Sequence, residues 1–238
     1  MVNTFLIYPN WIQSARRLDK KRIWKQVVEA RQILQLIIDL KHIISFANFS
    51  YSNWEDIKSL IKDYKSSDKV FVRDENNNYQ LILKSISSNF LSYNNNFKEV
   101  KLGFVYHPVV KMWWSYTEAL KFYINIHITE CISRGMKSDI SKYYVTLNCM
   151  TNDELNTCYN NLTQQQICDI NYIIIPNKIK HPVFVYNQQL YSIYRSNLKL
   201  KDPQYYSDFS EEPSKGYHYE LFYDPIFQDD NMLFQFNR

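Results

Sequence analysis

The chain has 238 residues, 45% hydrophobic and 16% aromatic, with a formal net charge of +4, which is enough apolar material for a full core in one large domain or two small ones. It contains no unbroken apolar run of about eighteen residues and no basic-then-apolar leader, so an intracellular globular protein with no membrane contact is expected. Three glycines leave no room for a Gly-rich phosphate loop, and the four cysteines, Cys131, Cys149, Cys158 and Cys168, lack zinc-site spacing and are too few for a disulfide framework; most nucleotide-binding enzymes are excluded, and neither metal nor cofactor is implied.

In chain order, "VNTFLIY" is a short β-prone run closed by Pro9, and Asn10 or Ser14 can cap a helix beginning there. From about Trp11 to Leu40, apolar residues recur at Leu18, Ile23, Val27, Ala30, Leu34 and Ile37, the period of one long amphipathic helix. Residues 41–102 shift to Ser, Asn, Asp and Tyr. They read as a peripheral α+β insertion, with a helix near Trp54–Tyr64 and a hairpin in "KVFVRDENNNYQLILKSI". A second long helix is predicted from Val109 to Arg134, stopped by Gly135. Polar sequence over 138–176 reads as a second insertion ending in the buried-looking "YIIIP", and a third helix spans roughly Asn187 to Lys199, ahead of Pro203. The expected fold is mainly α, built on three long helices.

Charge is distributed unevenly. Between Asn10 and Arg31 lie seven bases (Arg16, Arg17, Lys20, Lys21, Arg22, Lys25, Arg31) against Asp19 and Glu29, a local balance of +5 that exceeds the whole chain's. Such concentration is the footprint of a phosphate-backbone binder, although a solvated helix face reads the same way. Arg22, Lys25, Gln26 and Glu29 are spaced by three and four and so are expected on one stripe, with a single carboxylate among bases. The plain alternative is an i,i+4 pair of Glu29 with Lys25, worth about 0.3 kcal/mol on a surface.

Three segments, "NTFLIYPNWIQSARRLDKKRIWKQVVEARQIL", "HPVVKMWWSYTEALKFYINIHITECISRG" and "YSIYRSNLKLKDPQYY", resemble in order the motifs of the pyrimidine dimer DNA glycosylase family, the endonuclease V-like proteins of phage and bacteria. The resemblance covers about half the chain and has no counterpart for 41–102 or 138–176. It implies a compact helical fold over 1–238, without cofactor and expected as a monomer. Its partner would be damaged double-stranded DNA, from which it would remove a pyrimidine and then nick the abasic site. The family's nucleophile is the terminal α-amine, here that of Val2 once the initiator methionine is removed. An α-amine with a pKa of about 8 is better placed than a lysine at about 10.4 to attack the sugar C1′. The resulting iminium needs a carboxylate to steady charge and move protons, and Glu29 is the candidate. In the phage enzyme that glutamate lies nearer the helix start, at about Arg22 of this chain. Glu29 acting from further along the helix and an altered or lost lyase step therefore both stay open, as does a non-catalytic DNA-binding protein that keeps the basic helix. For DNA contact the basic stripe itself points to Lys21, Lys25 and Gln26, and the resemblance points to Arg195, Asn197, Lys201 and Tyr205. By its place before Pro108, His107 reads as a phosphate or base contact or a helix cap, and Trp24, at an otherwise polar position, as a stacking residue; Trp113 and Trp114 read as core.

Overall fold

The computed structural model describes residues 6–51, 53–136, 139–151, 153–154 and 164–214. It is mainly helical with a small three-stranded antiparallel sheet. The expected first helix is two: α1, Trp11–Arg17, and α2, Lys20–Phe46. The break falls where Leu18 turns extended and buries completely, and where the Asp19 carboxylate accepts from the backbone N–H groups of Lys21 and Arg22, both at 3.0 Å. An aspartate there competes with its own helix and starts a new one.

Helix α3, Trp54–Ser66, opens with a capping box in which Asn53 and Asp56 exchange side-chain and backbone hydrogen bonds. Strands β1 (Lys69–Arg73), β2 (Tyr79–Leu83) and β3 (Lys98–Glu99) form a sheet ordered β2-β1-β3, with helix α4 (Lys84–Tyr93) between β2 and β3. At the hairpin tip Asp74 Oδ1 accepts from the N–H groups of Asn76 and Asn78, and Asn77 takes the left-handed φ of 61° that asparagine tolerates. The segment expected to be peripheral is joined to the core. Trp54, Ile57, Ile61 and Phe71 belong to the same contiguous buried cluster as Ile23, Val27 and Ile37 of α2. Helix α2 itself continues past Lys41 to Phe46, whose ring meets Phe71 edge-on at 5.1 Å.

The expected second helix also divides, into α5 (Pro108–Trp113) and α6 (Thr117–Ser133). Adjacent positions on a helix diverge by about 100°, so Trp113 and Trp114 cannot share one face. Both nevertheless bury completely, each against different neighbours. Trp113 packs on Phe184 at 4.9 Å and on Trp11 at 6.0 Å, and Trp114 on Trp54 at 5.5 Å. Helix α6 is buried on most of its circumference and packs along α1 and α2, which makes it the central element. It ends as Gly135 predicts. Gly135 has φ 63°, its N–H reaches Ile132 O at 2.9 Å, and Met136 N–H reaches Cys131 O at 3.0 Å, closing a Schellman motif.

Two 3₁₀ turns lie beyond it, Ile140–Tyr143 and Val183–Tyr186, and between them the short α7 (Gln164–Cys168). The "YIIIP" run does bury Ile174 and Ile175. Helix α8, Gln188–Lys201, begins at Asn187 and ends before Pro203, as expected from the sequence. No helix among the described residues is long and apolar enough to cross a membrane.

Candidate active site and DNA-facing surface

At the start of α2 the bases are not all presented to solvent. Arg22 is hydrogen-bonded to Asp19, lies 3.5 Å from Asp202 and sits 5.5 Å over the Tyr206 ring; only 17% of its side chain is exposed. Burial works against its charge, but the Asp19 and Asp202 carboxylates outweigh it and hold the guanidinium pKa above its ordinary value. Asp19 is the converse case. Burial raises its pKa, and the bonds from Arg22, Tyr206 Oη at 2.7 Å and the backbone more than offset that, leaving the carboxyl below the usual range. Arg17 pairs with Asp208 and lies 5.1 Å over the Phe209 ring, and Arg31 donates to Tyr143 O at 2.6 Å. Lys20, Lys21 and Lys25 are exposed.

The predicted stripe therefore splits. Lys25 faces water, whereas Gln26 is fully buried and accepts from Tyr123 Oη of α6 at 2.8 Å. Three- and four-residue steps rotate in opposite senses about the axis, so a set containing both Lys25 and Gln26 straddles the surface and the core. Gln26 is a packing residue in this structure. Glu29 is 6% exposed, with Oε1 3.5 Å from Lys25 Nζ. A nearly buried carboxylate one turn from an exposed ammonium is the one acid that α2 places beside the basic surface. Trp24 is half-buried and meets Tyr143 edge-on at 5.3 Å, so its ring is already committed to a neighbour.

The remaining candidates lie elsewhere. His107 caps α5, its Nδ1 accepting from Val109 N–H at 3.3 Å, and burial lowers its pKa. Arg195 staples the carboxyl-terminal segment to the chain start, donating to Ile7 O at 2.7 Å and to Glu211 at 2.6 Å. Asn197 is 3% exposed, which puts it inside. Lys201 and Tyr205 are exposed, and Tyr205 packs edge-on against buried Tyr206 at 4.8 Å. Val2 lies outside the described residues.

Sequence reasoning missed the polar contacts of α6. Arg134 donates to the carbonyls of Leu18 at 2.6 Å, Arg16 at 2.6 Å and Ala15 at 3.1 Å, and pairs with Glu130 at 2.7 Å; it thus satisfies the open C-terminal carbonyls of α1. His127 is fully buried, with Nδ1 2.8 Å from Tyr123 O, and burial pushes its pKa down to about 4. The signal available was polar residues recurring on a helix otherwise apolar all round. Among the described residues no three or more His, Cys, Asp or Glu side chains converge as a metal site would require.

Among known families, the profile described as pyrimidine dimer DNA glycosylase matches residues 2–144, from the residue whose amine is the candidate nucleophile through α2, the 41–102 segment and α6 to the Tyr143 turn. No curated protein and no solved structure gives a match. With well over half of its length matched, the chain belongs to the pyrimidine dimer DNA glycosylase family.

Proposed function

We propose that the protein removes a damaged pyrimidine, of the pyrimidine dimer class, from duplex DNA by attack of the Val2 α-amine on the sugar C1′. The lone pair forms the C1′–N bond as the base leaves with its bonding electrons and takes up a proton; the amine then sheds a proton, and its lone pair forms the iminium as the C1′–O4′ bond breaks, O4′ keeping the bonding pair and taking up a proton. Removal of a C2′ proton then expels the 3′-phosphate, which is the nicking step. The observation that carries this reading is Glu29, a carboxylate 6% exposed and 3.5 Å from the exposed Lys25 ammonium, on the helix that also presents Lys20 and Lys21 to solvent. A carboxylate screened from water acts on a developing cation with more force than one in bulk solvent, and the lysines supply the charge that holds phosphates.

Borohydride trapping on a duplex containing an abasic site tests the reading. A covalent adduct is expected, and digestion should place it on the amino-terminal peptide. Duplex binding without any adduct would replace this reading by that of a DNA-binding protein without the chemistry.

A further inference from the structure

The middle of α2 borders a cleft of about 650 Å³. Its floor is Gln32, Leu36 and Asp39 of α2 together with Arg73 of β1. Glu29, Gln32 and Leu36 are spaced by three and four, so the floor begins one turn past the candidate acid, ~4.5 Å along the axis and on the same face. Volume and mixed lining suit a small polar-aromatic ligand.

The floor is set by charge. Asp39 is buried; its Oδ1 accepts from Tyr79 Oη at 2.7 Å and from Gln35 Nε2 at 2.9 Å. Arg73 Nε is also 2.9 Å from that oxygen, but without hydrogen-bond alignment, so Asp39 holds the guanidinium by charge. The terminal nitrogens of Arg73 have no hydrogen-bond partner among the described residues. A guanidinium fork matches two adjacent acceptors, such as N7 and O6 of guanine. Gln32, exposed, adds a further donor and acceptor. The walls supply faces: Phe97 is held edge-on by Phe90 at 5.5 Å, and Phe104 is 52% exposed. Lys98 and Lys101 outnumber Glu99 at the rim, the balance that a phosphate needs.

We propose that this cleft binds one unpaired guanine nucleotide, stacked on the phenylalanine walls, read at its acceptor edge by Arg73 and Gln32, and held by its phosphate at Lys98 and Lys101. DNA as the source of that nucleotide rests on the glycosylase reading; the binding chemistry does not. Segment 69–104 is thereby part of a ligand site.

The test titrates full-length protein with dGMP, dCMP and inorganic phosphate by equilibrium dialysis, and then with a duplex carrying a single-guanine bulge. dGMP should bind about tenfold or more tighter than phosphate and tighter than dCMP, and Phe104→Ala should weaken dGMP about fivefold or more, as removal of one stacked ring does. Phe104 and Gln32 are exposed, and unchanged melting temperatures confirm folding; should Phe104→Ala fail to fold, Gln32→Ala carries the same comparison. Equal affinity for dGMP and phosphate, or folded variants that bind dGMP as the parent does, overturns the proposal. Preference for the bulged over the paired duplex should fall with the same variants. A preference indifferent to them overturns the DNA source and leaves a site for free nucleotides. Borohydride trapping reads the Val2 chemistry separately: trapping absent with dGMP binding kept overturns the glycosylase reading and not this one.

Discussion

Glu29 and His127 are both buried ionisable side chains, and they invite opposite tests. If Glu29 steadies the iminium, Glu29→Gln conserves size, removes one negative charge and leaves duplex binding equal or tighter, while turnover falls about a hundredfold or more, the scale of one missing electrostatic stabiliser. Single-turnover nicking with a parallel binding titration separates these. Full activity in the variant would place the acid elsewhere, and weaker binding with a lower melting temperature would make Glu29 a structural partner of Lys25. His127 bears on stability. Burial lowers its folded pKa to about 4; the bond to the Tyr123 carbonyl opposes that shift and Arg134 adds to it. The unfolded value is about 6.5. The unfolded chain therefore binds a proton between these values that the folded chain does not. Stability is full above pH ~6.5 and falls by up to about 3 kcal/mol as pH drops toward 4. Burial shifts His42 and His107 the same way, so His127→Asn should flatten the pH dependence of the melting temperature without abolishing it. An unchanged slope would rule out His127 as a main contributor. Glu29 could be read from the sequence as a lone acid among bases. Its burial could not, because spacing along a helix does not say which face meets a neighbour.

Helix periodicity located every long helix but not the two places where helices break. In both places a buried side chain overrides the local preference. Leu18 buries fully where Asp19 restarts the helix, and Trp113 and Trp114 bury fully at the end of α5, just ahead of the break before α6. Asp19 caps the restarted helix locally, whereas the clamp that stabilises the first break comes from Arg134, more than a hundred residues along the chain. Arg134→Ala removes the donors for three carbonyls of α1 and its C-cap and leaves Glu130 without its nearest cation. The expected destabilisation is about 3 kcal/mol, the range for breaking a part-buried charged hydrogen-bond network. Lysine cannot reproduce a planar fork that spans several acceptors, so Arg134→Lys should recover less than half. Denaturant midpoints of the two variants check this, and equal midpoints for lysine and arginine would reduce Arg134 to a generic positive charge.

At the scale of the whole molecule, the sequence reads as seven bases on one basic element, and folding divides them. Arg17, Arg22 and Arg31 are committed to Asp208, to Asp19 and Asp202, and to the Tyr143 carbonyl, and Arg16 lies 3.9 Å from Glu130. Lys20, Lys21 and Lys25 remain exposed. The split is chemically sensible, since a guanidinium bonds several acceptors at a packed junction and an ammonium on a flexible stem suits a solvated phosphate. The third motif divides in the same way. Arg195 bonds to Ile7 O and Glu211 and Asn197 is buried, while Lys201 is exposed, and composition alone does not tell an arginine that staples segments from a lysine in solvent. Counterion release makes the division measurable. Each phosphate no longer neutralised lowers the slope of log K against log salt by about 0.9, so replacing Lys20, Lys21 and Lys25 together with alanine should reduce it by about 2.7. Arg22→Ala should act differently, lowering the melting temperature by leaving Asp19 and Asp202 without their cation while the salt slope stays as it was. Binding of an undamaged duplex, titrated between about 50 and about 200 mM salt, checks both. A slope unchanged in the triple variant but reduced in Arg22→Ala would mean that the arginines leave their carboxylates on binding, and that the DNA-facing surface is the α1–α2 junction itself.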